Sequence, residues 1–338
     1  MRMLMMLKYD KDQASSRVRG FYVAEELKKR NISYKIIFGY KLVSILKFLL
    51  SFWFYNVVYF QKRYSRKDLL LIKISRLFGK RVIFDLDDSP YGVKKNTAIK
   101  SLIIEIIEQA SFVTVGSKKL YKFAKKYNEK TFILHTPIKL KYYKIEEFEK
   151  VENSDFITVG WIGNGKNYKY DLNMLIEPLK ELSKNYKLKI IIIGALKEKE
   201  IYDSFSELTS NQNIELIIID ELCWKDPKAV PKAINKFDIG IYPLLDKSYN
   251  QYKCGFKALE YMALGVPVVA SPVSETLNII EDGKDGLFAN NTKEWINKLE
   301  HLIKDKEFRK KIGENGRKKV ENLYTTKKFV DYLEEILS

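Results

Sequence analysis

Cysteine and histidine are almost missing from this chain, with two of each in 338 residues. Cys223 and Cys254 lie far apart and show none of the paired spacings of a zinc site or a disulfide framework. A reducing, cytosolic compartment fits such usage best. His135 ends a β-type run and His301 falls in an amphipathic helical stretch, so the histidines form no catalytic cluster. An export signal is also lacking, because the apolar stretch Met3 to Leu7 is too short for a signal core and reads as a first strand. The one membrane-sized apolar stretch, Leu42 to Phe60, carries Lys47 inside it and turns β-type at Asn56. We read it as a helix over 41–55 followed by a strand, not as a span.

Acidic residues are scarce in the first half only. Residues 1–150 hold 32 Lys and Arg against 14 Asp and Glu, a net +18, whereas 151–338 hold 28 against 29, a net −1. Such asymmetry points to an anionic partner for one half, either phospholipid headgroups, a phosphorylated acceptor or nucleic acid. Lysines spread over solvated faces are the plain alternative. No helix-turn-helix, zinc pattern or RNP-like aromatic motif accompanies the charge, which argues against nucleic acid.

What the chain does have is short β-type runs alternating with longer helical patterns, the signature of parallel sheets wrapped by helices. The first series has strands near 3–9, 33–38, 57–61, 82–85, 112–116 and 131–135, with helices near 16–30, 66–78, 98–110 and 117–127. Ser15 or Ser16 is expected to cap the first helix, with Arg17 and Arg19 in its opening turn. An acidic segment over 145–155 reads as a linker, after which the alternation restarts at 157–162, 189–193, 214–219, 239–242, 268–270 and 286–288. The expectation is an α/β protein of two Rossmann-like βαβ domains, 1–150 and 151–324, facing across a cleft. A terminal helix over 325–338 is expected to pack back on the first domain.

The most specific segment is Phe237 to Ser271, FDIGIYPLLDKSYNQYKCGFKALEYMALGVPVVAS. It reads as a buried strand, a polar loop with Asp246 and Lys247, and a helix whose opening turn includes Lys253, Gly255 and Lys257. Free amides at a helix start attract phosphate, Gly255 admits a ligand close to the backbone, and a lysine adds a point charge. A diphosphate suits that place. Glu260, further along in an apolar setting, can accept both hydroxyls of a ribose. A capping glycine beside a snorkelling lysine is the bland alternative.

This segment resembles glycosyltransferase family 4 of the GT-B fold, whose second domain carries Glu, seven residues, Glu, and then an MAxGxPVVAS turn. Glu260 matches the second Glu and Tyr261 to Ser271 match the turn, within a subset worded KCGFKxLxYMAxGxPVVAS. Tyr252 stands at the first Glu, the position that the family associates with the donor sugar. The resemblance implies a donor site with Gly163, Asn164, Lys166 and Lys169 of GWIGNGKNYKYDL near the diphosphate, Gly255, Phe256 and Glu260 on the nucleotide, and Trp224 beside the base. Solvated cations, for the lysines, and a core anchor, for Trp224, remain open. In the first domain, ASSRVRG resembles the family's first loop, with Arg17 and Arg19 as acceptor or donor phosphate ligands. FDLDDSP places Asp87 where many members have histidine, and Asp88 next to it, as groups that could meet hydroxyls or act as a base.

The resemblance further implies a nucleotide-sugar donor, a glycan or lipid-linked acceptor, and retention of anomeric configuration with no metal and no other cofactor. Leaving-group charge then falls to Lys253 or Lys257, to Lys166 and to a helix N-terminus. A same-fold sugar-nucleotide epimerase, or a pair of lobes that only binds, are the alternatives. Helix 41–55 can either lie in an anionic membrane interface at the inner face of the membrane or sit in the core.

Overall fold

Among the described residues, runs rich in Val, Ile, Phe and Met pair in parallel, and most are followed by a helix that returns the chain to the start of the next strand. The fold was described from a computed structural model, covering residues 1–88, 97–148, 155–223 and 225–338. It divides into two compact units: residues 1–139, 251–254 and 324–338 form the first, and 140–250 with 255–323 form the second.

The first unit holds a six-stranded sheet of β1 (Arg2–Leu7), β2 (Ser33–Phe38), β3 (Val57–Gln61), β4 (Arg81–Leu86), β5 (Phe112–Val115) and β6 (Thr131–Ile133). Its order is β2-β1-β3-β4-β5-β6. Strands covered on both faces read as continuous apolar runs, and β1 (RMLMML) and β3 (VVYFQ) do so, with Met3 to Leu7 fully buried. One face packs on Phe48, Leu69, Ile72, Ile103 and Leu120 of the covering helices. The other receives the C-terminal helix Thr326–Leu337, whose Phe329, Val330 and Leu333 pack with Met3, Met5 and Val23. Thr325 caps that helix by accepting from the Lys328 amide, and Arg30 ties it down through Asp331 and Glu334.

The first helix departs from the expected cap. Gln13 precedes it without a side-chain hydrogen bond, and Arg17–Phe21 winds as a π turn between Ala14–Ser16 and Tyr22–Lys29. Ser16 is instead buried, donating to Gln61 Oε1 and accepting from the Tyr9 amide, so its hydroxyl holds the β1 and β3 ends together. The stretch expected as helix 41–55 is helical over Leu42–Phe52.

The second unit contains β7 (Ile157–Ile162), β8 (Leu188–Ile193), β9 (Ile214–Ile219), β10 (Ile239–Tyr242), β11 (Val268–Ala270) and β12 (Leu287–Phe288). Their order is β12-β11-β10-β7-β8-β9, the doubly wound arrangement in which the sheet is extended in opposite directions from the β7–β10 pair. Ligands of such sheets bind outside the carboxyl ends of the strands at that reversal point. Among the described residues, no helix is long and apolar enough to cross a membrane.

Candidate functional site

The carboxyl ends of β7 and β10 bring the second unit's candidate residues together. After β7 the chain turns through Gly163 and Asn164 into the helix Gly165–Leu172. After β10 it runs through an exposed loop at Asp246 and Lys247 and a single 3-10 turn, Asn250–Tyr252, before the helix Phe256–Ala263. Buried Asp171 fastens this loop, accepting from the Leu245 amide and from Asn250 Nδ2, both at 2.8 Å. Gly255 is the N-cap of the second helix at φ +68°, in the left-handed region. That φ favours glycine, and a Cβ there would also lie 2.4 Å from Ile279 Cδ1, which would have to move aside.

Lys257, in that helix's first turn, reaches back to the β7 turn. A Cβ on Gly163 would fall 2.4 Å from Lys257 Cε, so the glycine makes room for the lysine. The ammonium sits 3.8 Å from the Tyr168 ring centroid, 5.5 Å from that of Tyr242 and 5.8 Å from that of Trp161. Three aromatic faces favour the charged amine and fix its position. Glu260, one turn further, is half-buried and accepts a hydrogen bond from the Tyr143 hydroxyl at 2.8 Å. Arg317 steadies Tyr143 in turn by donating to its carbonyl and to that of Ala263. Phe256 is half-buried at the first helical position. The neighbouring Tyr261 hydroxyl is driven up by burial, and it stays neutral while accepting from the Ile162 amide at 3.2 Å.

The other expected donor residues have these surroundings. Lys253 lies outside the helix, buried in the short segment that belongs to the first unit, and therefore is not in the helix's opening turn. Lys169 pairs with Glu200 and with Glu198 at 3.1 Å, and their hydrogen bonds raise its pKa. Lys166 and Asn164 are exposed beside the β7 turn. Trp224 lies outside the described residues.

In the first unit Arg19 is not available to a phosphate. It is fully buried, forks onto both oxygens of Asp85 at 2.9 and 2.5 Å, and donates to the Leu134 carbonyl. Burial alone would lower its pKa, but Asp85 outweighs that and raises it, so the guanidinium stays charged. The i, i+2 spacing on a helix sends Arg17 to another direction. Arg17 is half-buried and braces the loop after β1 by donating to the carbonyls of Lys11 and Asp12.

Asp87 and Asp88 follow β4. Lys62, at a left-handed φ of +55° after β3, places its ammonium 2.9 Å from Asp87 and 3.7 Å from Asp88. Burial pushes the Asp87 carboxyl up, yet Lys62 and Arg19 outweigh it and hold it below the usual carboxylate range. A carboxylate so held is a weak proton acceptor and a firm anchor. Because its folded pKa is depressed, Asp87 adds stability that is fully present above its unfolded pKa of about 3.9 and is lost as pH falls through the folded value. The stability gap between the wild type and Asp87→Asn in urea titrations is therefore expected to be constant from about pH 5 to 8 and to narrow below about pH 4. A gap independent of pH would contradict the ion pair.

Tyr143 was not among the candidates read from the sequence, and 117 residues separate it from Glu260. Removing one hydrogen bond to a carboxylate costs about 1 kcal/mol or more. Tyr143→Phe is accordingly expected to weaken nucleoside diphosphate affinity about fivefold while leaving the melting temperature within a few degrees, by calorimetry and thermal shift.

Residues 156–305 match the family model described as "Glycosyl transferases group 1". The capsular polysaccharide biosynthesis glycosyltransferase CapM of Staphylococcus aureus is 28% identical over 194 residues, 56% of this chain and 48% of CapM. The chain spans about half the length of the curated relatives it matches. Among solved structures, HepE of Anabaena in complex with UDP superposes with a TM-score of 0.74 over 100% of this chain and 99% of that one, at 14% identity. The sucrose-phosphate synthase of Thermosynechococcus elongatus does so at 0.76 over 100% and 98%, at 13% identity. Residues 156–305 are thus similar to the group 1 glycosyl transferases, in a chain whose fold is GT-B.

Proposed function

We propose that the chain is a family 4 glycosyltransferase, of the subset worded KCGFKxLxYMAxGxPVVAS, that moves a sugar from a nucleotide-sugar donor to a glycan or lipid-linked glycan, with retention of configuration and without a metal. The observation that carries the reading is the caged Lys257 beside the Gly163 turn, one helical turn from Glu260, at the reversal point of the second sheet. In this reading the donor diphosphate meets Lys257 and the amides at the start of the helix Phe256–Ala263, and Glu260 accepts the ribose hydroxyls. As the glycosidic bond to the diphosphate breaks, negative charge grows on the leaving oxygen. Lys257 stabilises that charge in place, with no reorganisation at the moment of reaction. The departing phosphate takes the acceptor's proton, so Asp87 need not act as a base. Support comes from CapM, which is described as a capsular glycosyltransferase, and from HepE, which was solved with UDP.

An epimerase of the same fold would return the nucleotide still joined to an isomerised sugar, and a mere binder would return the donor unchanged. Incubation with candidate nucleotide sugars and a glycan acceptor, followed by separation of the products, tests the proposal. Transfer releases the free nucleoside diphosphate in step with sugar gained by the acceptor, and either other pattern contradicts it.

A further inference from the structure

The helix Leu42–Phe52 has two apolar faces. One, with Phe48 and Phe52, is buried against the first sheet. The other presents Leu42, Leu46, Leu49, Leu50, Trp53 and Phe54 to solvent, with Leu50 76% and Trp53 65% exposed. The face continues onto the next helix, because the Trp53 ring meets Phe78 edge-on at 5.1 Å, and Phe78 and Leu77 are themselves exposed. Large contiguous apolar surface of this kind is uncommon on a protein that meets only water.

Charge decides what covers it. Residues 27–67 contain ten Lys and Arg and no Asp or Glu. Lys35, Lys41, Lys47, Arg66 and Lys67 of that stretch are exposed, and the helix itself holds no acid. A second copy of the chain would set the same cations against one another. A nucleic-acid backbone would satisfy the cations and leave the leucines wet. A bilayer with anionic headgroups offers negative charge at its surface and an apolar layer just beneath. At 11 residues, about 16 Å, the helix is far shorter than the ~20 residues needed to span, so it lies in the plane of the interface.

We propose that the outer face of the helix Leu42–Phe52, with Trp53, Phe54 and Phe78, docks the protein on a membrane surface rich in anionic lipid. The apolar side chains enter the boundary between headgroups and acyl chains, and Lys41 and Lys47 hold lipid phosphates. The docking does not depend on the transferase reading; it would, however, bring a lipid-linked acceptor to the first unit.

The test is co-sedimentation of the full chain with vesicles of phosphatidylcholine alone or with about one third phosphatidylglycerol, at low and high salt. Anionic vesicles are expected to bind at least tenfold more protein than neutral ones, with partial release by salt. Leu46→Ser/Leu50→Ser/Trp53→Ser should lose at least tenfold in partitioning while keeping the wild-type melting temperature, since all three positions are exposed. On binding, Trp emission should shift to the blue in the wild type and not in Trp53→Phe. Indifference of the wild type to anionic vesicles would overturn the proposal. So would unchanged binding by the triple variant, or a soluble dimer that the triple variant dissolves in the absence of vesicle binding.

Discussion

Lys257→Met is expected to lower turnover by about 10²–10³-fold with the fold intact, the usual loss when one preorganised stabiliser of developing negative charge is removed. The side chain is half-buried and its stem can be matched by methionine, so packing changes little. The cation is what disappears. Its place is defined on one side by the Tyr168, Tyr242 and Trp161 rings and on the other by the Gly163 turn. In the proposed transfer the charge matters most when the leaving oxygen becomes negative, so kcat should fall much further than KM rises. Lys257→Arg should restore little of the rate, because a planar guanidinium does not fit a cage shaped around a compact ammonium. Steady-state kinetics of nucleoside diphosphate release check all three statements, and an equal loss in binding and turnover would assign Lys257 to uniform donor binding instead.

Arg19→Leu is expected to destabilise the first unit by about 3–5 kcal/mol, the typical cost of leaving one partner of a buried ion pair alone. Asp85 would then lose its guanidinium partner inside a strand with no exposure, keeping the Thr114 hydroxyl at 2.6 Å. For a domain of this size that corresponds to a fall of about 10 °C in the melting temperature. Replacing both partners, as Arg19→Leu/Asp85→Leu, should recover most of the loss, since an apolar pair removes the desolvation problem along with the charges. Arg17→Leu should stay within about 0.5 kcal/mol, being half-buried and bound to loop carbonyls. Denaturant titration of the four proteins distinguishes a buried structural pair from a phosphate-binding arginine.

The fold was largely legible because parallel strands covered on both faces must be nearly all apolar. IIII in β8 and VVYF in β3 can be little else, and their spacing leaves room for one helix each. The helix at Phe256–Ala263 was legible for a related reason: Gly255 before it and Gly265-Val266-Pro267 after it mark both ends. Long-range geometry was not. Nothing local in SRVRG tells the buried arginine from the half-buried one, because the deciding partner, Asp85, is 66 residues away. Lys169 reads as a diphosphate ligand until Glu198 and Glu200, on another helix, are brought beside it. The cage around Lys257 is assembled from three separate elements, and each aromatic alone reads as core. For the helix Leu42–Phe52, a mostly apolar run interrupted by Lys47 fits a buried helix and an interfacial one equally well from sequence; the exposure of Leu50 and Trp53 separates them.

The central claim is that the second unit holds a nucleoside diphosphate through Glu260 and Lys257. Isothermal titration of the full chain with the diphosphates of uridine, guanosine, adenosine, cytidine and thymidine, repeated on Glu260→Ala, addresses it most directly. The account predicts that at least one of them binds the wild type and that Glu260→Ala weakens this binding at least tenfold, the loss of about 1.4 kcal/mol from two ribose hydrogen bonds. Binding of no diphosphate, or equal binding by the two proteins, would contradict it.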